Sequence, residues 1–270
     1  MRLGLLCGHG TLPILLAQAQ SPQLAALVFF EKRPAAPFPT VPQLCTTLGE
    51  IGTILQFLRT HNVDTLLLAG NLRRPALAEL KFDAIGLKWS TRLGKRFFQG
   101  DDALLHGIIT LLEEEGFTIL GLSDVMSSLL TPAGVLTNSR PTPAEEKDIE
   151  TGWRVLHTLG AMDIGQAVVV QQGLILGVEA IEGTQALIHR CAPLQRAGSA
   201  AILVKGAKPR QDIRVDVPTV GEETIEALWT SGFRGMALEA GRTCLLQKES
   251  VLQQANLSSL FIIGVHRAAS

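Results

Sequence analysis

RLGLLCGHGTLPILLAQAQ, residues 2–20, decides the fold. Arg2–Cys7 is a short apolar run, two glycines flank His9, and LPILLAQAQ then carries apolar residues at helical spacing. A buried strand, a tight loop and a helix in that order open a βα unit. The pattern recurs downstream. AALVFF (25–30), TLLLA (65–69) and residues 117–120 are further apolar runs, and helical patterns over 48–61 and 101–115 lie between them. Strands that are apolar throughout and alternate with helices predict a parallel sheet covered on both faces. A Rossmann-like N-terminal domain is therefore expected over residues 1–131.

The texture changes at TPAGVLTNSRPTPA (131–144), rich in Pro, Thr, Gly and Ser, so a connector is expected over 132–141. Thr142, Pro143 and Glu145 predict a helix opened by a capping box. QAVVVQ and LILGVEA around a QG turn read as a hairpin, and short strands are expected near 201–205, 213–217, 235–238, 243–246 and 261–265. The fold class is α/β: a Rossmann-like parallel-sheet domain, then a mixed α+β domain over 142–270.

The bulk numbers exclude several functions. The 270 residues carry 46% hydrophobic and 18% charged side chains and a net charge of −1, so no global field recruits nucleic acid. Tyrosine is absent and aromatics reach only 5%, which disfavours a base-stacking platform. Cysteines 7, 45, 191 and 244 are scattered, without the spacing of a zinc or redox motif. The opening apolar run is broken at Gly8, too early for a signal peptide, and no run reaches the length of a membrane span. A cytoplasmic protein is expected.

The chemistry concentrates in KPRQDIRVDVPTVGEET, residues 208–224. Read as a strand, it points Asp212, Arg214 and Asp216 one way and Ile213, Val215 and Val217 the other. Pro218 ends it, and Thr219 with Glu222 suggests a capping box for a helix that buries Ile225, Leu228 and Trp229. Two carboxylates at that spacing suit Mg²⁺, and Lys205, Lys208, Arg210 and Arg214 suit phosphate oxygens. The competing reading is a solvated strand face with ordinary ion pairs.

Other stretches contribute. Gly8 and Gly10 offer a loop that cradles a phosphate, although Pro13 spoils GxGxxG and Glu31 is the nearest acid for a ribose. In AGNLRRP, Asn71, Arg73 and Arg74 follow a strand end. LKWSTRLGKRFFQGDD (87–102) is a basic, amphipathic patch suited to an anionic membrane surface or to a plain surface helix, and Asp101 and Asp102 are further potential metal ligands. Glu179 is a lone carboxylate among apolar neighbours.

The segments LGLLCGHGTLP, LLLAGNLRRP, GDDALLHGI, LTPAGVLT, GQAVVVQQGLILGVEAIEGT, LVKGAKPRQDIRVDVPTVGEETIE and FRGMALEAGRT, in that order, make the chain resemble the LpxI family of UDP-2,3-diacylglucosamine pyrophosphatases. His9 stands where that family often carries another residue, so no role is assigned to it. The resemblance implies Mg²⁺-dependent hydrolysis of UDP-2,3-diacylglucosamine to UMP and 2,3-diacylglucosamine 1-phosphate in lipid A synthesis. It also implies peripheral association with the inner membrane, and a homodimer is an associated expectation. The family's essential aspartate matches Asp212 or Asp216, with Asp216 preferred. Asp212, Asp216 and Arg214 form the expected catalytic set, the two aspartates being the metal ligands. Gly8, Gly10, Asn71, Arg73, Lys205, Lys208, Glu179 and Thr219 form the expected substrate-binding set. Two rivals remain at this point: a nucleotide-binding oxidoreductase on the first half, and a non-catalytic nucleotide-sugar or lipid carrier.

Overall fold

The computed structural model describes residues 1–30, 38, 40–72, 79–98 and 100–266. The chain divides into two compact units. The first comprises Met1–Met126 together with Arg214–Asp216, the second Ser127–Ile213 and Val217–Ser270.

The first unit runs β1 (Leu3–Cys7), α1 (Leu12–Ala19), β2 (Leu24–Phe29), β3 (Gln43–Cys45), α2 (Ile51–Thr60), β4 (Thr65–Ala69), α3 (Ala84–Leu93), a 3-10 turn (Gly94–Phe98), α4 (Asp101–Glu114), β5 (Thr118–Leu120) and α5 (Leu122–Met126). Its five strands form one sheet in the order β3-β2-β1-β4-β5, parallel throughout. Leu6, Ala26, Val28 and Leu66 bury one face against α2, α3 and α4 through Leu55, Leu58, Trp89 and Leu112. Leu3, Leu5, Leu27 and Leu67 on the same strands are buried as well. That two-sided burial is why these strands read as unbroken apolar runs. Connections leave β1 toward β2 on one side, and β4 and β5 lie on the other. The carboxyl ends of β1 and β4 therefore flank the topological switch point, where open α/β sheets place ligands.

The second unit runs β6 (Gly134–Val135), α6 (Pro143–Gly160), β7 (Ala167–Gln171), β8 (Leu174–Val178), α7 (Thr184–Cys191), β9 (Ile202–Lys205), β10 (Thr219–Val220), α8 (Glu222–Thr230), β11 (Gly235–Glu239), β12 (Cys244–Leu245), α9 (Lys248–Leu257) and β13 (Phe261–Val265). A six-stranded mixed sheet has the order β6-β13-β11-β9-β7-β8, and β10 pairs with β12 separately. Alternation along the strands sorts the core. Ala167, Val169, Leu203 and Met236 face α7, α8 and α9, while Val168, Val170, Ile202 and Val204 face α6. Each fully buried Leu or Val side chain contributes about 1.5–3 kcal/mol. The helix α6 opens as its sequence predicts: the Thr142 hydroxyl accepts from the Glu145 N–H, and the Glu145 carboxylate accepts from the Thr142 N–H at 2.7 Å. Within the expected connector, β6 pairs antiparallel with β13, and the Thr137 hydroxyl accepts from the Ile262 N–H.

Three local expectations fail. Ile213–Val215 is a turn and not a strand, so Asp212, Arg214 and Asp216 share no strand face. Alternation here has another cause: Val215 packs into the first unit's core, while its neighbour Arg214 bonds Glu113. Thr219 does not cap α8. It lies in β10 with its hydroxyl donating to the Val217 carbonyl, and Gly221 takes the cap position. Trp229 is 60% exposed, because the buried face of α8 is set by Thr224, Ile225, Ala227 and Leu228.

Candidate functional site

At the switch point, the loop after β1 is stitched to the loop after β4. The Gly8 N–H donates to the Ala69 carbonyl at 2.8 Å, the His9 N–H to the Asn71 carbonyl at 2.7 Å, and the Asn71 N–H back to the His9 carbonyl at 2.9 Å. The closeness demands glycine. A Cβ on Gly8 would lie 2.6 Å from the Asn71 carbonyl oxygen and 2.8 Å from that of Gly70. Two N–H groups aimed by the sequence reading at a phosphate are thus engaged in holding Asn71 beside β1. Gly8→Ala is expected to lower stability by roughly 1–3 kcal/mol, read from urea unfolding. An unchanged midpoint would refute the tight apposition.

Beside these loops the first unit carries an open cavity of about 1000 Å³. That is the upper end of the roughly 300–1,000 Å³ usual for small-molecule sites. Leu6 comes from β1, Ile51, Ile54 and Leu55 from α2, Gly86, Trp89, Ser90 and Leu93 from α3, and Leu104, Leu105, Ile108 and Leu112 from α4. Among the described residues, the polar groups on the lining are Asn71, Glu79, Ser90, Asp101 and Asp216. The α3 wall is fixed by its cap. Asp83 accepts from the Gly86 N–H at 2.7 Å through one oxygen and from the Thr53 N–H of α2 at 3.1 Å through the other.

Asp216 reaches this lining because residues 214–216 belong to the first unit. Arg214 anchors the segment by donating to Glu113 of α4 at 2.9 Å. Val215 lines the cavity beside Asp216. Gly121 lets the segment close in, since a Cβ there would lie 2.9 Å from the Arg214 Cα. Arg214, expected as a catalytic cation, thus already has a carboxylate partner.

In the second unit two of the expected binding residues, Lys205 and Glu179, belong to one buried network. Lys205, at the carboxyl end of β9, donates to the Thr184 hydroxyl at 2.7 Å, and that hydroxyl donates to one Glu179 oxygen at 2.7 Å. The other Glu179 oxygen accepts from the Gln166 N–H at 2.9 Å. Lys205 and Glu179 are 6% and 7% exposed. Lys208 is ion-paired with Asp163. Glu239, which the sequence reading did not single out, ends the neighbouring strand β11; it accepts from the Ala207 N–H at 2.8 Å and lies 3.4 Å from the Arg242 Nε. Its only sequence signal was a carboxylate closing the apolar run GMALE. Asp212 belongs to the second unit and Asp216 to the first. Arg73, Arg74 and Glu31 lie outside the described residues.

Among the described residues, no group of three or more His, Cys, Asp or Glu side chains gathers as a metal cage. Mg²⁺ does not need one. It is commonly held by one or two carboxylates together with substrate phosphates and waters, a donor set that Asp212 and Asp216 match in kind.

Models of two LpxI domains match the chain, the N-terminal domain over residues 2–129 and the C-terminal domain over residues 132–263. The UDP-2,3-diacylglucosamine pyrophosphatase LpxI of Caulobacter vibrioides is 38% identical over 272 residues, covering 98% of this chain and 97% of that protein. Among solved structures, CobK precorrin-6A reductase is 14% identical and aligns over 100% of this chain and 89% of its own, with a TM-score of 0.34, too low to bear on fold or function.

Proposed function

The chain belongs to the LpxI family, and from that premise we propose that it hydrolyses UDP-2,3-diacylglucosamine to UMP and 2,3-diacylglucosamine 1-phosphate, a step in lipid A assembly. The observation that carries this reading is Asp216 on the wall of an apolar cavity of about 1000 Å³. A diacylated nucleotide sugar needs apolar volume for hydrocarbon close to a carboxylate able to serve diphosphate chemistry, and an apolar cavity bordered by Asp216 supports that reading.

Asp216 and Asp212 would hold Mg²⁺. When bound, the ion supplies positive charge against the diphosphate and acidity for the attacking water. The chain's own groups do the rest. Arg214, held by Glu113, positions Asp216. The apolar lining takes hydrocarbon and excludes water. Lys205 and Lys208 sit in a segment whose backbone is tied to Gln166 and Glu239, so their charges have fixed places in the second unit.

The test is direct. Purified protein with UDP-2,3-diacylglucosamine and Mg²⁺ releases UMP, and chelation stops release, which the addition of Mg²⁺ restores. Tight binding without UMP would favour a carrier instead. Full activity in chelator would remove the metal from the proposal while leaving the reaction.

A further inference from the structure

Strands β9, β11 and β13 run parallel, so the loops that follow them leave the same edge of the second unit's sheet. The carboxyl ends of parallel strands are where α/β sheets place ligands. Lys205 ends β9, and Lys208 follows in its loop. The first donates to Thr184 and the second is paired with Asp163. The loop after β11 carries a third cation, Arg242, to which the sequence reading assigned no role.

That loop is tied at each residue. The Ala240 N–H donates to the Val265 carbonyl and the Gly241 N–H to the Thr131 carbonyl, both at 2.9 Å. Gly241 has φ 73°, the left-handed region that favours glycine. The Arg242 N–H turns back to the Glu239 carbonyl at 3.3 Å, and the Thr243 hydroxyl donates to the same carbonyl at 2.8 Å. The Glu239 side chain is buried between two loops. Its Oε2 accepts from the Ala207 N–H at 2.8 Å, and its Oε1 faces Arg242.

The guanidinium on this fixed loop is unlike the others. Its Nε lies 3.4 Å from Glu239 Oε1, within ion-pair range, yet this buried atom has no hydrogen-bond partner among the described residues. Arg59, Arg92, Arg190 and Arg214 close on their carboxylates at 2.6 to 2.9 Å. Arg234 also stands off its carboxylate, at 3.6 Å from Glu145, but it donates to the Ser259 carbonyl at 2.7 Å. A buried donor without an acceptor is destabilising and calls for an acceptor from outside the chain. The Arg242 side chain is 36% exposed, so a ligand can reach it. Guanidinium presents its donors as a planar fork that matches phosphate oxygens. We infer that Arg242 binds a phosphoryl group of the substrate through that fork, with Glu239 fixing its orientation. This rests on the pyrophosphatase reading above. Because the loop is already ordered, little conformational freedom is lost when the phosphoryl group arrives.

Steady-state UMP release from UDP-2,3-diacylglucosamine by the full chain tests it, with the urea midpoint of each variant measured alongside. Arg242→Ala lowers kcat/KM roughly 10–100-fold, the range for a lost hydrogen bond to a charged group. It also leaves the buried Glu239 carboxylate without its cation, so its midpoint falls. Adding Glu239→Gln to Arg242→Ala restores the midpoint and leaves kcat/KM low. Arg242→Lys keeps a cation opposite Glu239 but loses the fork, and its kcat/KM lies between those of wild type and Arg242→Ala. If kcat/KM returns with the midpoint in the double variant, Arg242 serves only the fold and the inference is overturned. Wild-type kcat/KM in Arg242→Ala or in Arg242→Lys overturns it too. No UMP from the wild-type protein sinks the pyrophosphatase reading and takes this inference with it, whereas wild-type turnover that is indifferent to Arg242 sinks the inference alone.

Discussion

Asp216→Asn lowers the rate of UMP release by roughly 10²–10⁴-fold, the range lost when a positioned acid–base or charge-bearing group is removed. The loss falls on kcat more than on KM, since the apolar cavity is left intact. Circular dichroism and the urea midpoint stay at wild-type values, because Asp216 is only half-buried and forms no part of the apolar core. Asp212→Asn distinguishes the two carboxylates. Equal losses make them a pair. A loss confined to Asp216 leaves Asp212 as an ordinary surface acid. Arg214→Met supplies the third measurement. If Arg214 acts by anchoring the segment to Glu113, Glu113→Gln reproduces most of its effect. If Arg214 touches the diphosphate itself, Glu113→Gln does not. Full activity in both aspartate variants would remove this site from the reaction.

Shortening the substrate's acyl chains lowers kcat/KM steeply. Each methylene transferred from water to an apolar interior contributes about 0.8 kcal/mol. Four fewer methylenes therefore cost about 3 kcal/mol, roughly 200-fold. The cavity is large enough for an effect of that size, and its lining is dominated by Leu, Ile, Phe and Trp side chains. A series of chain lengths gives a straight line in ln(kcat/KM) until the cavity is filled, then a break. Ser90→Phe, pointing a ring into that volume from α3, moves the break to shorter chains and raises KM for the long ones. A series with no slope would show that hydrocarbon binds elsewhere, and the cavity would lose its assigned purpose. A slope unaffected by Ser90→Phe would place the chain away from α3.

Much of the fold was legible in the residues because its signals are local. β1, β2 and β4 are buried on both faces, so their sequences are continuous apolar runs. The Thr142–Glu145 capping box formed because all its atoms lie within one turn. The hairpin of β7 and β8 was readable from two strands around a short turn. By contrast β3 has three residues and a half-exposed pattern, which no periodicity can reveal. The T-x-x-E at Thr219 was a true motif in the wrong context, since pairing with β12 removed Thr219 from the helix. IRVDV alternates, but a neighbouring strand is needed to make alternation a strand, and none among the described residues pairs with it.

The sequence by itself determined the family, the two α/β units and the identities of the charged residues near 208–216. Only the tertiary structure decided what those charges accompany. Arg214 and Glu113 are 101 residues apart in the chain, and their bond delivers Asp216 to the wall of an apolar cavity built from β1, α2, α3 and α4. Contacts of that range depend on the packing of whole elements. Periodicity reports only which side of an element is apolar, so it predicted the helices of the cavity and not the space between them.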